Sequence, residues 1–305
     1  MKVLIAGGSG FLGKALTDSL KNDHHEVIIL TRRAPKYSDQ IQWDGKTTKG
    51  WRDLVNEVDA VIHVAGFGLQ HWPWTRKQKQ RFIDSRVLPG LALVSAIQNA
   101  SRRPRVFLQS SGISRYGLEG EGIADESTPP ASDFLAQMTV PWEAATESLQ
   151  ELGVRRVVTR NAVVLAKKGG LFPLLALPVR LFFGGRFSSG RQAMPWIHIT
   201  DYIRAVRFLL ANENAGGPYN LISPMPTSNA DFMRGVAKAL HRPYWFHVPA
   251  FLLRIALGEM SILLTEGRYS QPKRLIELGF QFQFGELKNA MEDLLVRTKT
   301  GQSGT

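Results

Sequence analysis

Cysteine is absent from this 305-residue chain, which excludes disulfides, thiolate nucleophiles and cysteine-ligated metal centres. Apolar runs of about 18 residues are missing too, so no membrane-spanning helix is expected. The nearest approach, Leu171 to Phe183, is interrupted by Pro173, Pro178 and Arg180. The opening MKVLIAGGSG reads as a strand running into glycines and not as a secretory signal peptide, so a cytoplasmic protein is expected. Acidic residues are scarce: 26 Asp and Glu stand against 38 Lys and Arg, a net charge of +12. The basic clusters, Arg76 to Arg81 and Arg102 to Arg105, lack interleaved aromatics or a groove-reading motif, so no nucleic-acid partner is expected. The charge reads as a solvated surface that attracts anionic cofactors. Histidines are scattered without ligand spacing, His24 and His25 falling on a surface turn, and no metal site is expected.

What the chain does have is an alternation of short apolar runs and amphipathic stretches. Lys2 to Ala6, Glu26 to Leu30, Asp59 to Val64, Arg105 to Gln109 and Arg155 to Leu165 read as strands. Phe11 to Leu20, Phe82 to Gln98 and Trp142 to Leu152 read as helices between them. Strands that are apolar throughout, alternating with helices, imply a parallel sheet covered on both faces. The fold class is therefore α/β, a Rossmann-type doubly wound sheet with a smaller, mostly helical C-terminal lobe. We place the nucleotide-binding domain at 1–165, with later segments returning to it, the substrate lobe at 166–300 and a disordered tail at 301–305. Asp201 follows the apolar run Trp196 to Ile199 and is placed to cap the next helix.

Ligands of such sheets bind beyond the carboxyl ends of the strands. Gly7, Gly8, Gly10 and Gly13 follow the first strand and open the first helix. Both G-x-G-x-x-G and G-x-x-G-x-x-G spacings are met, which lets the backbone approach a pyrophosphate at the helix N-terminus. An NAD site wants a carboxylate about 20 residues further on. Thr31-Arg32-Arg33 stands there instead, and a guanidinium pairs with a 2′-phosphate, so NADP(H) is the expected cofactor. The alternative is that Arg32 and Arg33 are surface residues ending a strand.

These pieces resemble the extended short-chain dehydrogenase/reductase superfamily, and more closely an atypical branch of epimerase-family proteins with a C-terminal domain of unknown function. The residues behind the likeness are GGSGFLG at 7–13, HVAG at 63–66, Ser85-Arg86, Trp142-Glu143-Ala144-Ala145, Arg160 to Leu165, GRQAMPWIHITD at 190–201, Pro272 to Leu275 and Leu278-Gly279-Phe280. The resemblance implies that Gly7, Ser9, Gly10, Phe11, Leu12 and Gly13 hold the pyrophosphate and that Thr31 and Arg32 take the 2′-phosphate. It implies that Val64, Ala65 and Gly66 line the adenosine side, with Arg86 and the strand end Arg160 to Ala162 nearer the nicotinamide.

Enzymes of that superfamily commonly use a Tyr-x-x-x-Lys pair as acid and base. Aligned on Glu143, this chain has Leu135 and Thr139 at those places, and Pro141 suggests a helix that begins late or is kinked. The loop Ser110 to Gly117 supplies the remaining candidate, Tyr116 as proton donor oriented by Ser111, or else a tyrosine merely packed in the cleft. The branch's first tyrosine is here Arg115. His198 lies within an apolar run and reads as a buried, hydrogen-bonded histidine. Arg191 and Gln192 are candidates for an anionic or sugar-like substrate. Two functions follow: an NADP(H)-dependent epimerase or oxidoreductase on a small polar, nucleotide-sugar-like molecule, or a non-catalytic NADP(H)-binding sensor or interaction module. The protein is expected to be a monomer or homodimer.

Overall fold

The computed structural model describes residues 1–296; the tail expected at 301–305 lies outside the described residues. The chain begins with β1 (Lys2–Ala6), α1 (Phe11–Asn22), β2 (Glu26–Thr31), β3 (Gln40–Gln42), β4 (Ala60–His63), α2 (Arg76–Gln98), β5 (Val106–Gly112), α3 (Phe134–Ala144) and β6 (Arg155–Asn161). The chain then runs through β7 (Val163–Leu165), α4 (Phe172–Arg180), β8 (Gly185–Phe187), β9 (Trp196–His198), α5 (Ile199–Ala211) and β10 (Gly217–Leu221). It closes with α6 (Asn229–Ala239), β11 (Phe246–Val248), α7 (Ala250–Leu257), α8 (Ile262–Thr265), α9 (Lys273–Glu277) and α10 (Leu287–Leu295).

Seven strands form one sheet in the order β10-β6-β5-β4-β1-β2-β3. Every pairing in it is parallel. Side chains alternate across a strand, and β1 shows it: Val3 and Ile5 join the core under α1 and α5, while Leu4 and Ala6 join the core under α2. Each buried valine, leucine or isoleucine among them contributes roughly 1.5–3 kcal/mol, so both helical layers are held by the same strands. β10, far along the chain, returns to the edge beside β6. A third core, from α4, α6 and α10 with β8 and β9, makes the C-terminal lobe.

The helices differ in detail from expectation. α2 extends back to Arg76 because the Thr75 side chain caps it, accepting from the Gln78 N–H. α3 starts at Phe134, not near Trp142, because Asp133 accepts from the N–H groups of Leu135 and Ala136; Pro141 sits inside its last turns. At α5 the cap is His198, whose Nδ1 accepts from the Thr200 N–H at 3.2 Å. Asp201 is instead fully buried and accepts from the N–H groups of Gln283 and Phe284, each at 2.8 Å, tying the C-terminal segment to α5.

Candidate functional site

β1 lies between β2 and β4, and the chain winds outward from it in both directions. That reversal opens a crevice beyond Ala6 and His63, the place where nucleotides bind in doubly wound sheets. Gly7 leaves β1 with φ of +91°, and a Cβ there would lie 2.7 Å from the Ala65 backbone. A Cβ on Gly13 would collide with the carbonyl oxygen of Gly7 and the Cα of Gly8. Only glycine permits this tight passage from strand to helix. α1 has neither a side-chain cap nor an acidic residue in its first turn. Its first N–H groups, at Phe11, Leu12 and Gly13, are left for an anion.

At the end of β2, Thr31 is buried and its Oγ1 lies 3.2 Å from Ser9 Oγ, linking the strand end to the glycine loop. Arg32 and Arg33 follow, both exposed. Val64, Ala65 and Gly66 leave β4 on the other side of the glycine loop, Gly66 against the Arg86 side chain. The residues of the loop therefore fit a dinucleotide, with two exposed guanidinium groups at the end of β2.

A cavity of about 270 Å³ opens beyond β5 and β6, lined by Arg86, Ser111, Leu135, Met138, Trp142 and Ala162. Leu263, Glu266 and Arg268 close it from the segment around α8. Burial, with the nearby Glu119 carboxylate, holds the Glu266 carboxyl above its ordinary range.

A family model, the NAD dependent epimerase/dehydratase family, matches residues 3–222. The chain belongs to that family. A second model, a domain of unknown function (DUF1731), matches residues 248–294. Among relatives of this epimerase family, YfhF of Bacillus subtilis is 34% identical over 305 residues, covering 98% of this chain and 100% of that one. The epimerase family protein Mb2239 of Mycobacterium bovis is 34% identical over 290 residues, covering 95% of this chain and 96% of that one. A crystal structure of the human epimerase family protein SDR39U1 with NADPH superposes with a TM-score of 0.87 at 29% identity, covering 98% of this chain and all (100%) of that one. The UDP-N-acetylglucosamine 4-epimerase of Bacillus cereus shares the fold, with a TM-score of 0.77 at 18% identity over 100% of this chain and 99% of that one.

Within this epimerase-family frame, Leu135 and Thr139 lie on α3, both buried. Leu135 is part of the cavity wall, and the Thr139 hydroxyl donates back to the Ala136 carbonyl at 2.7 Å. Neither can exchange a proton with a substrate.

Tyr116 does not meet the expectation of a proton donor. It is fully buried, its hydroxyl donates to Asn220 Oδ1 at 2.6 Å, and it accepts from Arg160 Nη1 at 2.9 Å. Burial, only partly offset by the neighbouring Arg160 charge, pushes its hydroxyl up to about 12. Arg160, expected nearer the nicotinamide, is likewise engaged inside the protein. Its Nε and Nη2 donate to Glu143, and Nη1 also reaches the Glu126 carbonyl, so its donors are used inside the protein. Ser111 lines the cavity, but its hydroxyl donates to Glu143 Oε1 at 2.7 Å. Burial alone would raise the Glu143 carboxyl; the hydrogen bonds and charge of Arg160, with Ser111 and Arg115, hold it below its usual range.

Gln192 and Arg191 are also placed differently from expectation. The Gln192 amide donates to the carbonyls of Phe187 and Leu264, stapling its loop to α8, and Arg191 lies exposed outside the cavity wall. His198 is buried as expected, its Nε2 3.3 Å from Asp293 Oδ2 and its ring stacked on Phe284. With Nδ1 accepting from Thr200, the proton belongs on Nε2, which makes it a neutral structural residue.

Sequence reasoning missed the buried block of Glu143, Arg160, Glu126 and Asn220 behind the cavity. Its signal was present in RRVVTRN: arginines inside a central strand need buried partners, and Glu143 on a strongly apolar helix is one. Trp142 and Glu266 as cavity walls left no such trace.

Proposed function

We propose that this chain binds NADP(H) along the carboxyl edge of its sheet and exchanges hydride with a small substrate in the adjoining cavity. The observation behind this reading is the end of β2, where Thr31 is joined to the glycine loop and is followed by two exposed arginines and no carboxylate. The human relative crystallised with NADPH supports it. The cofactor supplies the hydride carrier; the protein's residues bind it, orient it and move the proton. Gly7 to Gly13 hold the pyrophosphate, Arg32 with Arg33 selects the 2′-phosphate, and Val64 to Gly66 face the adenosine.

The charged or titratable side chains lining the cavity are Arg86, Glu266 and Arg268. Glu266 is the carboxyl among them, and burial with the nearby Glu119 carboxylate holds it above its ordinary range, which favours its exchanging a proton with a bound substrate. We assign it the role that the tyrosine has in other members. The cavity, about 270 Å³, sits at the small end of ligand sites and suits a small molecule better than a whole nucleotide sugar.

A second reading, a non-catalytic NADP(H)-binding module, is favoured by one feature. α7 and its surroundings expose Phe251, Leu252, Ile255, Trp245, Phe182 and Phe183, an apolar surface of the kind that receives a partner. The experiment is a binding titration of NADPH and NADH with the parent chain and Arg32→Asp, followed by a turnover screen on small carbonyl compounds. Selective loss of NADPH binding in the variant supports the 2′-phosphate assignment, and equal loss of both refutes it. Turnover that disappears in Glu266→Gln supports the enzyme; tight NADPH binding with no turnover on any compound favours the module.

A further inference from the structure

Among the described residues, Arg86 is a buried cation with no anionic partner. It projects from α2, is only 8% exposed, and uses Nη1 to donate to the carbonyls of Phe67 at 3.0 Å and Phe82 at 2.9 Å. Its Nε is buried without a hydrogen-bond partner among the described residues. Among the described residues, no carboxylate lies within ion-pair distance of it. Arg160 makes the contrast, being equally buried but clasped by Glu143. Leaving a guanidinium out of water and unpaired costs several kcal/mol, so a protein that does so has a use for the charge.

Beside Arg86 stands a second unused donor. The guanidinium lies 5.0 Å from the Trp142 ring centre, and the indole Nε1–H of Trp142, itself 8% exposed, is buried without a partner among the described residues. An indole N–H can only donate. Both side chains line the same cavity, whose other walls include Leu69, Leu135, Met138 and Leu263. Its remaining charged residues, Glu266 and Arg268, come from one short segment and are of opposite sign, so Arg86 sets the net charge.

We infer that this cavity takes a small, largely apolar carboxylate, with the carboxylate group received by Arg86 and the Trp142 indole N–H and the remainder of the molecule against the leucine and methionine walls. The inference rests on reading the cavity as the substrate site and deepens it by naming the substrate class. Paired hydrogen bonds from a guanidinium to a carboxylate supply both affinity and orientation. A neutral sugar would leave the same cation unpaired and is disfavoured for that reason.

An anion at Arg86 has a second source, a phosphate of the dinucleotide, and the test separates the two. Benzoate and its neutral isostere benzamide are titrated into the parent chain, Arg86→Gln and Arg86→Lys, each with and without NADP⁺, and NADPH affinity is measured in parallel. The expected result is that the parent chain binds benzoate at least tenfold more tightly than benzamide. Arg86→Gln loses that preference and Arg86→Lys retains part of it. Benzamide binding as well as benzoate to the parent chain overturns the inference, whether or not either variant folds. So does a tenfold or greater loss of NADPH affinity in Arg86→Gln with the benzoate preference intact, because the anion is then the cofactor's. Benzoate preference in a parent chain that binds no NADPH upholds the carboxylate site and refutes the cofactor reading alone.

Discussion

Arg160 holds Glu143 at two points, Nε to Oε1 at 3.0 Å and Nη2 to Oε2 at 2.9 Å, joining β6 to α3 beneath the cavity. Both side chains are nearly out of solvent, at 6% and 10% exposure. Replacing Glu143 by Gln keeps the shape but leaves the guanidinium unpaired. Breaking a buried pair this way costs about 3–5 kcal/mol. Urea unfolding should register a loss of that order; a change below about 1 kcal/mol would show that Arg160 finds another partner.

The Tyr116 hydroxyl belongs to the same block and faces Asn220 and Arg160, so Tyr116→Phe is expected to act on stability and not on chemistry. It removes two hydrogen bonds of a buried hydroxyl, at a cost of roughly 1–3 kcal/mol. Any hydride-transfer activity found for the parent chain should survive the substitution. Abolished turnover with unchanged stability would return Tyr116 to the role of acid.

Gly13→Ala tests the strand-to-helix passage. The added methyl group meets the backbone of Gly7 and Gly8, which cannot move aside without opening the loop. We expect a lower melting temperature together with loss of NADPH binding. A variant that binds NADPH normally would mean the loop does not touch the pyrophosphate.

His63 supplies a pH dependence. It is fully buried at the end of β4, its Nε2 3.2 Å from the Arg86 carbonyl, and burial lowers it from 6.5 to about 4. In that window the unfolded chain binds a proton that the folded chain does not. The contribution is complete above pH 6.5 and falls away as the pH drops toward 4, on the order of 3 kcal/mol in all. Urea midpoints at pH 7.5 and 5.0 should therefore differ more for the parent chain than for His63→Gln. Parallel pH dependence in the two would mean that His63 is not the group responsible.

Much of the frame was legible in the chain itself. β1, the glycines and α1 are contiguous, and their function depends on spacing, so Gly7, Gly10 and Gly13 could be read directly. The apolar strand runs announced a sheet covered on both sides, as found. Where helices begin was read less well, because caps such as Thr75, Asp133 and His198 act through single side chains that periodicity does not register.

The sequence by itself determined the parallel α/β frame, the nucleotide loop with arginines in place of a carboxylate, and the lack of a tyrosine–lysine pair. Those features depend on residue type and on neighbours a few positions away. Tertiary structure alone decided which polar side chains stay free. Tyr116 meets Asn220 across 104 positions of chain, and Gln192 meets the Leu264 carbonyl across 72. Arg160 is neutralised by Glu143 while Arg86 is left without a carboxylate. Burial and pairing are sums over contacts between distant segments, and two arginines alike in sequence become a structural tie and an anion site only when the fold brings those segments together.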